Sequence, residues 1–342
     1  MGLCKTLGCN SVIDYPYKAL YHDPQRKVPS LPQHPGKRYQ REDIFSQLQK
    51  HDFDFIVLSA IRNEPLDTLE DLSRQGQLPP MVLIDGDDGV KINTNLFQKY
   101  RFALYFKREY LCADGLMLGY KNRWKMYGFA KSISDRIYPL PFSVVLESIP
   151  PQDCCEQDID ISFVGIASHR NRIRAVNILQ SASDLKFKGN VFAESTTRQS
   201  KLVTGTLDIL KAKLQGDPYA TKIEQSGKLP YHEYFRLLGR SKMGLSIRGA
   251  GFDTIRYWEI VASKRLLISE QPYIHIPNNF EHGKHALFCR PDLSDLLTLV
   301  RRHVHDHAFC KAMIDEAYQH MLRYHTCEQR AKQFLAICEQ RL

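Results

Sequence analysis

The residues of this chain best placed to do chemistry are Arg248, Gly249, Gly251, Asp253, Thr254, Arg256 and Glu259. Glycines let a backbone approach a ligand closely, and a helix opening at Asp253 or Thr254 presents unpaired N–H groups and the positive end of its dipole. That combination suits an anion, most naturally phosphate. Arg256 and Glu259 are three apart and share a helix face. One face then offers a guanidinium for phosphate and a carboxylate able to accept hydrogen bonds from sugar hydroxyls. The same residues also fit an ordinary glycine turn before a helix, with Arg256 and Glu259 as a surface ion pair of about 0.3 kcal/mol.

Four further groups carry chemical interest. Gly165 is followed by His169 and Arg170 at a helix start, a second place for phosphate or a merely solvated basic helix end. Asp85-Gly86-Asp87 is an Asp-x-Asp triplet that offers oxygen ligands of the kind Mg²⁺ or Mn²⁺ prefers. Asp87 or Asp88 could instead serve as general base for an acceptor hydroxyl, or cap the following turn. Lys107, Arg108 and Glu109 could meet an anionic acceptor or form an ion-paired strand end. His275 could approach a ligand from its loop, and Tyr257 and Trp258 at helical spacing read as core.

The elements that must position these groups follow from hydrophobic periodicity. Residues 243–247 form an apolar strand, broken by the glycine turn, then a helix, then a second strand over residues 266–268. Upstream, residues 158–165 read as a strand entering the Gly165 turn, a helix runs to residue 181, residues 187–193 are a strand, and residues 202–214 and 231–241 are helices. Residues 285–289 are a last strand, and three helices (292–305, 308–324, 328–340) finish the chain. The first half repeats the rhythm: a helical tail at 3–9, strands at 11–17, 53–61, 81–84 and 102–106, helices at 44–49 and 65–75, and a polar loop over residues 22–41. Alternating strands and helices imply βαβ units and parallel sheets, here two doubly wound α/β halves. Prolines 139, 141, 150 and 151 mark the boundary, giving an N-terminal domain of 1–150, a C-terminal domain of 151–325 and a closing helix in 326–342. In such sheets ligands sit beyond the carboxyl ends of strands, which is where every group above falls.

Composition narrows the classes. At 342 residues the chain is comfortable for two domains, and a formal net charge of +9 favours an anionic partner. The basic residues are dispersed and no nucleic-acid module is recognisable, which argues against nucleic acid. No apolar run reaches the ~20 residues of a membrane span, and the first residues lack a secretory pattern. Gly2 with Thr6 matches a myristoylation start at the level chance supplies. Nine scattered cysteines with no Cys-x-x-Cys pair, and adjacent Cys154-Cys155, read as free thiols in a reducing compartment, so a cytoplasmic location is expected, with peripheral contact at the inner membrane face left open. His303, His305 and His307 read as a solvated basic face rather than a metal site.

Several ordered blocks resemble the donor domain of the spore-maturation-type (CgeB-like) glycosyltransferases, distant relatives of exostosin-like enzymes. They are residues 256–270, beginning Arg256-Tyr-Trp-Glu259, residues 276–284, His325-Thr-Cys-Glu-Gln-Arg330, the strand ending in Gly165, and the helix beginning Tyr231-His-Glu-Tyr-Phe. Ile84-Asp-Gly-Asp-Asp88 and Phe106-Lys-Arg-Glu109 are similar to blocks of bacterial members. The resemblance implies a GT-B fold, two facing Rossmann-like domains, with the nucleotide-sugar donor held by the second, an acceptor by the first, and the C-terminal helix crossing back to the first. It implies that Gly165 approaches the diphosphate, that Arg248, Gly249, Gly251 and the helix from Asp253 and Thr254 hold phosphate with Arg170 nearby, that Arg256 neutralises the leaving group, and that Glu259 binds the ribose. No cofactor is implied beyond the nucleotide-diphosphate sugar as co-substrate, and no metal. The partners implied are that donor and a glycan, lipid-linked or protein acceptor, an anionic one included. Members of the class start with an additional strand and glycine turn, so the first sheet here begins one strand short or its start is shortened. The alternative is a non-catalytic nucleotide- or sugar-binding protein with a degenerate acceptor domain.

Overall fold

A computed structural model describes residues 1–23, 36–74, 76–112, 134–151, 156–192 and 229–342. The chain divides into two compact units, Met1–Val145 with Tyr273–Pro277 and Thr326–Leu342, and Leu146–Pro272 with Asn278–His325. The helix expected at 202–214, Cys154-Cys155, and most of the polar loop at 22–41 lie outside the described residues.

The first unit opens with helices α1 (Gly2–Leu7), α2 (Ala19–His22), α3 (Arg41–Gln49), α4 (Asn63–Ser73) and α5 (Thr94–Lys99). Its strands β1 (Ile56–Leu58), β2 (Met81–Asp85), β3 (Leu104–Lys107) and β4 (Ile137–Pro139) form one parallel sheet in that order. A parallel sheet is covered on both faces, so its strands read as continuous apolar runs. Alternate residues go to opposite layers. Leu83 and Tyr105 pack with Leu69 of α4 and Phe97 of α5, whereas Val82, Leu104 and Phe106 pack against Phe334, Leu335 and Cys338 of the C-terminal helix Cys327–Arg341. The Phe106 and Phe334 rings are 4.7 Å apart. Helix α1 lies along that C-terminal helix so closely that a Cβ on Gly2 would stand 2.2 Å from the Cys327 carbonyl oxygen.

The strand expected over residues 11–17 does not form. Cys9–Ser11 is a 3₁₀ turn, and Ile13 and Tyr15 pack on Ile44, Leu48 and Leu72. Their alternation reports burial on one side of an extended segment that has no partner strand. The strand within residues 53–61 is confined to Ile56–Leu58, while α5 and the short β4 carry too few residues to announce a period.

The second unit holds β5 (Ile159–Ile166), β6 (Phe187–Phe192), β7 (Ser241–Ser246), β8 (Leu266–Glu270) and β9 (Leu287–Cys289), all parallel in the order β6-β5-β7-β8-β9. Around them run α6 (Arg170–Gln180), α7 (Tyr231–Gly239), α8 (Ile255–Ala262), α9 (Leu296–His303) and α10 (His307–Tyr324). Ile161, Phe163, Met243, Leu245, Leu266 and Ile268 form the sheet's share of the core, with Ile173, Val176 and Leu179 of α6 and Leu296 and Val300 of α9 against them. Gly244 admits α8 to the sheet, for a Cβ there would meet the Ile260 side chain at 2.7 Å. The chain runs one way from β5 to β6 and the other way from β5 to β7. That reversal is the topological switch point, where loops diverge and leave a crevice beyond the strand ends.

Candidate functional site at the β5/β7 switch point

Two turns meet at this switch point. The first leaves β5 through Val164, Gly165 and Ile166 and enters α6, whose N-cap His169 accepts the Asn171 N–H on Nδ1 at 3.2 Å. The second leaves β7 through Ile247 to Gly251 and enters α8. Arg172, buried on the inner face of α6, joins them: Nε donates to the carbonyls of Ile247 at 3.1 Å and Arg248 at 3.0 Å, and Nη1 to that of Ile166 at 3.0 Å.

Gly165 sits between two guanidinium groups. A Cβ there would lie 3.2 Å from Arg256 Nη2 and 3.6 Å from Arg172 Nη1. Arg256 donates to the Val164 carbonyl, lies over the Phe163 ring at 4.8 Å, and has a buried Nε with no hydrogen-bond partner among the described residues. A Cβ at Gly249 would lie 2.9 Å from Arg172 Nη2 and 3.1 Å from Ser168 Oγ. Both glycines therefore lie in close approach to cationic side chains.

The glycine turn is not an open cradle of N–H groups. Arg248 N–H donates to Glu270 Oε1 at 3.1 Å and Gly249 N–H to the Gly251 carbonyl at 3.0 Å. Unclaimed donors lie further on. The Thr254 hydroxyl pairs with Ser246 Oγ at 2.9 Å and does not cap α8, so the Ile255 and Arg256 N–H groups keep no partner among the described residues. Asp253 is buried and accepts the Trp258 indole N–H at 2.9 Å, which pins the entry to α8. Trp258 and Tyr257 are core residues, as their spacing suggests.

Arg170, Arg172 and Arg248 gather at the two turns. Burial and the charges of Arg248, Arg170 and Arg172 push His169 down to about 3, so it is neutral at ordinary pH. Glu270, buried at the end of β8, is the carboxylate beneath the turn. It pairs with Arg248 Nε at 3.3 Å and accepts from Asn171 Nδ2 at 2.9 Å. Arg248 also stacks over Phe252 at 4.7 Å. Glu259 is half-buried, with Tyr234 and Arg256 facing it. Burial raises its pKa, and the Arg256 charge and the Tyr234 hydroxyl oppose the rise. Arg170 lies exposed at the first turn of α6.

The structure thus brings Gly165, Arg248, Gly249, Arg256 and the start of α8 together, with Gly251, Asp253 and Thr254 shaping the second turn and Glu259 one helical turn further along α8. Sequence reasoning missed Asn171, Arg172, Glu270 and Tyr234. The available signal was Arg172 on the apolar face of α6 beside Ile173 and Val176, since a charged residue on a buried face needs partners.

In the first unit, Asp85 at the end of β2 is saturated internally. Lys107 Nζ lies 2.9 Å from it, Tyr105 donates to it, and Asp87 N–H donates at 3.1 Å. Lys107 and Glu109 are fully buried, and Arg108 is buried beneath Phe142, 4.4 Å from the ring, while donating to Asp88. Asp87 and Asp88 are exposed. His275 belongs to this unit too, its N–H donating to the Tyr110 carbonyl at 2.7 Å.

Residues 194–336 match the glycosyl transferase-like family. No curated protein matches the sequence. Among solved structures, the chain is similar to a glycosyltransferase from Rickettsia africae, with TM-score 0.56 and 12% identity over 91% of this chain and 85% of that one. It is also similar to Anabaena Alr3699/HepE, solved in complex with UDP-glucose, with TM-score 0.55 and 10% identity over 90% and 86% of the two chains. A third is sucrose-phosphate synthase from Thermosynechococcus elongatus, with TM-score 0.51 and 12% identity over 90% and 81%. The likeness to these structures, at 12% identity or less, shows the fold alone, two parallel-sheet α/β units of the GT-B kind, and the match to the glycosyl transferase-like family is confined to residues 194–336.

Proposed function

We propose that the protein transfers a sugar from a nucleoside-diphosphate sugar bound at the β5/β7 switch point to a glycan, lipid-linked or protein acceptor, without a metal ion. The observation that carries this reading is the approach of the Arg256 guanidinium to Gly165, where a Cβ would lie 3.2 Å from its Nη2. A cation at a close-approach glycine, beside the uncapped start of α8, is suited to a diphosphate. In sugar transfer the departing diphosphate gains charge, and donors already in place stabilise it without reorganising. Arg248 and Arg170 add to the field, and Glu259 accepts from the ribose hydroxyls. Asp87 or Asp88 of the first unit serves as general base for the acceptor hydroxyl. HepE, of the same fold, was solved with UDP-glucose, which supports a uridine-type donor as the first to try. Kinship with the spore-maturation-type enzymes belongs to the same proposal.

A second reading, a binder of nucleotide or sugar without transfer, is favoured by one feature. Lys107 and Asp85, at the strand ends expected to meet the acceptor, spend their charges on each other inside the first unit. Turnover separates the two. Incubation with a panel of nucleotide sugars and candidate acceptors, with and without chelator, should release nucleoside diphosphate. Asp87→Asn or Asp88→Asn should lower that release with donor affinity kept. Binding without release from any donor would select the second reading.

A further inference from the structure

We propose that Arg172 is a positioning residue of the switch-point site: it fixes the distance between the β5 and β7 turns, and so the arrangement of the cations that meet the diphosphate. The inference rests on the donor reading above and assigns the residue that makes the site rigid.

Nothing in the backbone ladder ties the two turns together, because the β5–β7 pairing ends at Ser162 and Gly244, short of both strand ends. Beyond that point the strands diverge, as they must at a switch point. Among the described residues, Arg172 spans the gap with hydrogen bonds to two carbonyls of the second turn and one of the first. Its planar guanidinium holds these donors in a fixed fork, which a lysine ammonium on a flexible stem cannot reproduce. Both glycines that face the site, Gly165 and Gly249, are packed against this guanidinium. The clamp therefore sets where Arg256, against Gly165, stands relative to Arg248, which follows Ile247 in the second turn.

Arg172 also lies too deep to be replaced by solvent. It is buried on α6, next to Asn171, whose side chain braces Glu270 from the same helix turn. One turn of α6 thus sends a cation to the turn carbonyls and an amide to the carboxylate that receives the Arg248 N–H.

The test uses the full chain with Arg172→Lys, which keeps the charge, and Arg172→Met, which removes it. Val300→Ala, in the core of the same unit and outside both turns, serves as a control for lost stability. The readouts are Kd for pyrophosphate and for uridine diphosphate by calorimetry, and hydrogen exchange of residues 165–169 and 247–251 without ligand. The clamp predicts at least tenfold weaker binding of both ligands in Arg172→Lys, faster exchange in both turns together, and near wild-type Kd in Val300→Ala. Binding in Arg172→Lys no weaker than in the control, or exchange unchanged in either turn, would overturn it. A wild type that binds neither ligand, with both turns loosened in Arg172→Lys, would instead remove the donor reading and leave the clamp in place.

Discussion

Glu270 Oε1 accepts the backbone N–H of Arg248 at 3.1 Å and lies 3.3 Å from the same residue's Nε, so one buried carboxylate holds both the main chain and the side chain of the second turn. Removing one partner of a buried pair leaves the other charge uncompensated, which is where the large penalties arise. Arg248 retains some solvent contact, which softens the loss. Glu270→Ala should destabilise the protein by about 3 kcal/mol, measured by urea unfolding, and weaken diphosphate binding. Glu270→Gln, which keeps an acceptor oxygen, should cost less than Glu270→Ala.

His169 gives a pH prediction. Its folded pKa is depressed to about 3 by burial and by Arg248, Arg170 and Arg172, while in the unfolded chain it is near 6.5. The unfolded state binds the extra proton, so the stability tied to neutral His169 is complete above about pH 6.5 and is lost as pH falls from there towards 3. The His169 ring resonances should show no titration between pH 8 and 5 in the free protein. His169→Asn, which retains an N-cap acceptor, should flatten the acid limb of the stability curve.

Glu259 acts in the opposite direction. Burial raises its pKa above that of an ordinary carboxyl, so under the proposed ribose role the ionised form that accepts the hydroxyls is lost at a higher pH than usual. Donor affinity should fall on mild acidification, and Glu259→Gln should bind weakly at every pH, with the acid dependence gone. Calorimetry from pH 5 to 8 reads both.

Gly244 tests the packing that seats α8. A Cβ there meets three side-chain carbons of Ile260, at 2.7 to 2.9 Å. Overpacking of this kind costs about 1–3 kcal/mol. Gly244→Ala should lower the unfolding midpoint, and adding Ile260→Val should recover part of the loss, a coupling that a double-mutant cycle quantifies.

Much of the second unit was legible in the sequence because its strands and helices are long enough to show a period, and because the Gly165 and Arg248 turns fall where strands end. The first unit was harder. Ile13 and Tyr15 alternate like a strand yet pack against helices, and Ile137–Pro139 is too short to carry a pattern. At the site, Arg256 and Glu259 could be paired from helical spacing. Arg172 with Ile247, and Asn171 with Glu270, could not, since these contacts join residues 75 and 99 apart that only the sheet order brings together. The glycine turn also hides its accounting. Sequence shows that glycines are present, and only the structure shows that the Arg248 and Gly249 N–H groups are already committed, so that the proposed diphosphate would be left to the guanidinium groups and the start of α8.

The most direct test of the central claim is calorimetric and thermal-shift titration of the wild type and Arg256→Ala with uridine, guanosine, cytidine and thymidine diphosphates and their sugars. The account predicts selective stabilisation by one nucleotide family, since a ligand that binds only the folded state raises the unfolding midpoint, with the affinity at least tenfold weaker in Arg256→Ala and the fold retained. No response of the wild type to any of these ligands, or equal affinity in the variant, would contradict the placement of a diphosphate at Arg256 and the start of α8.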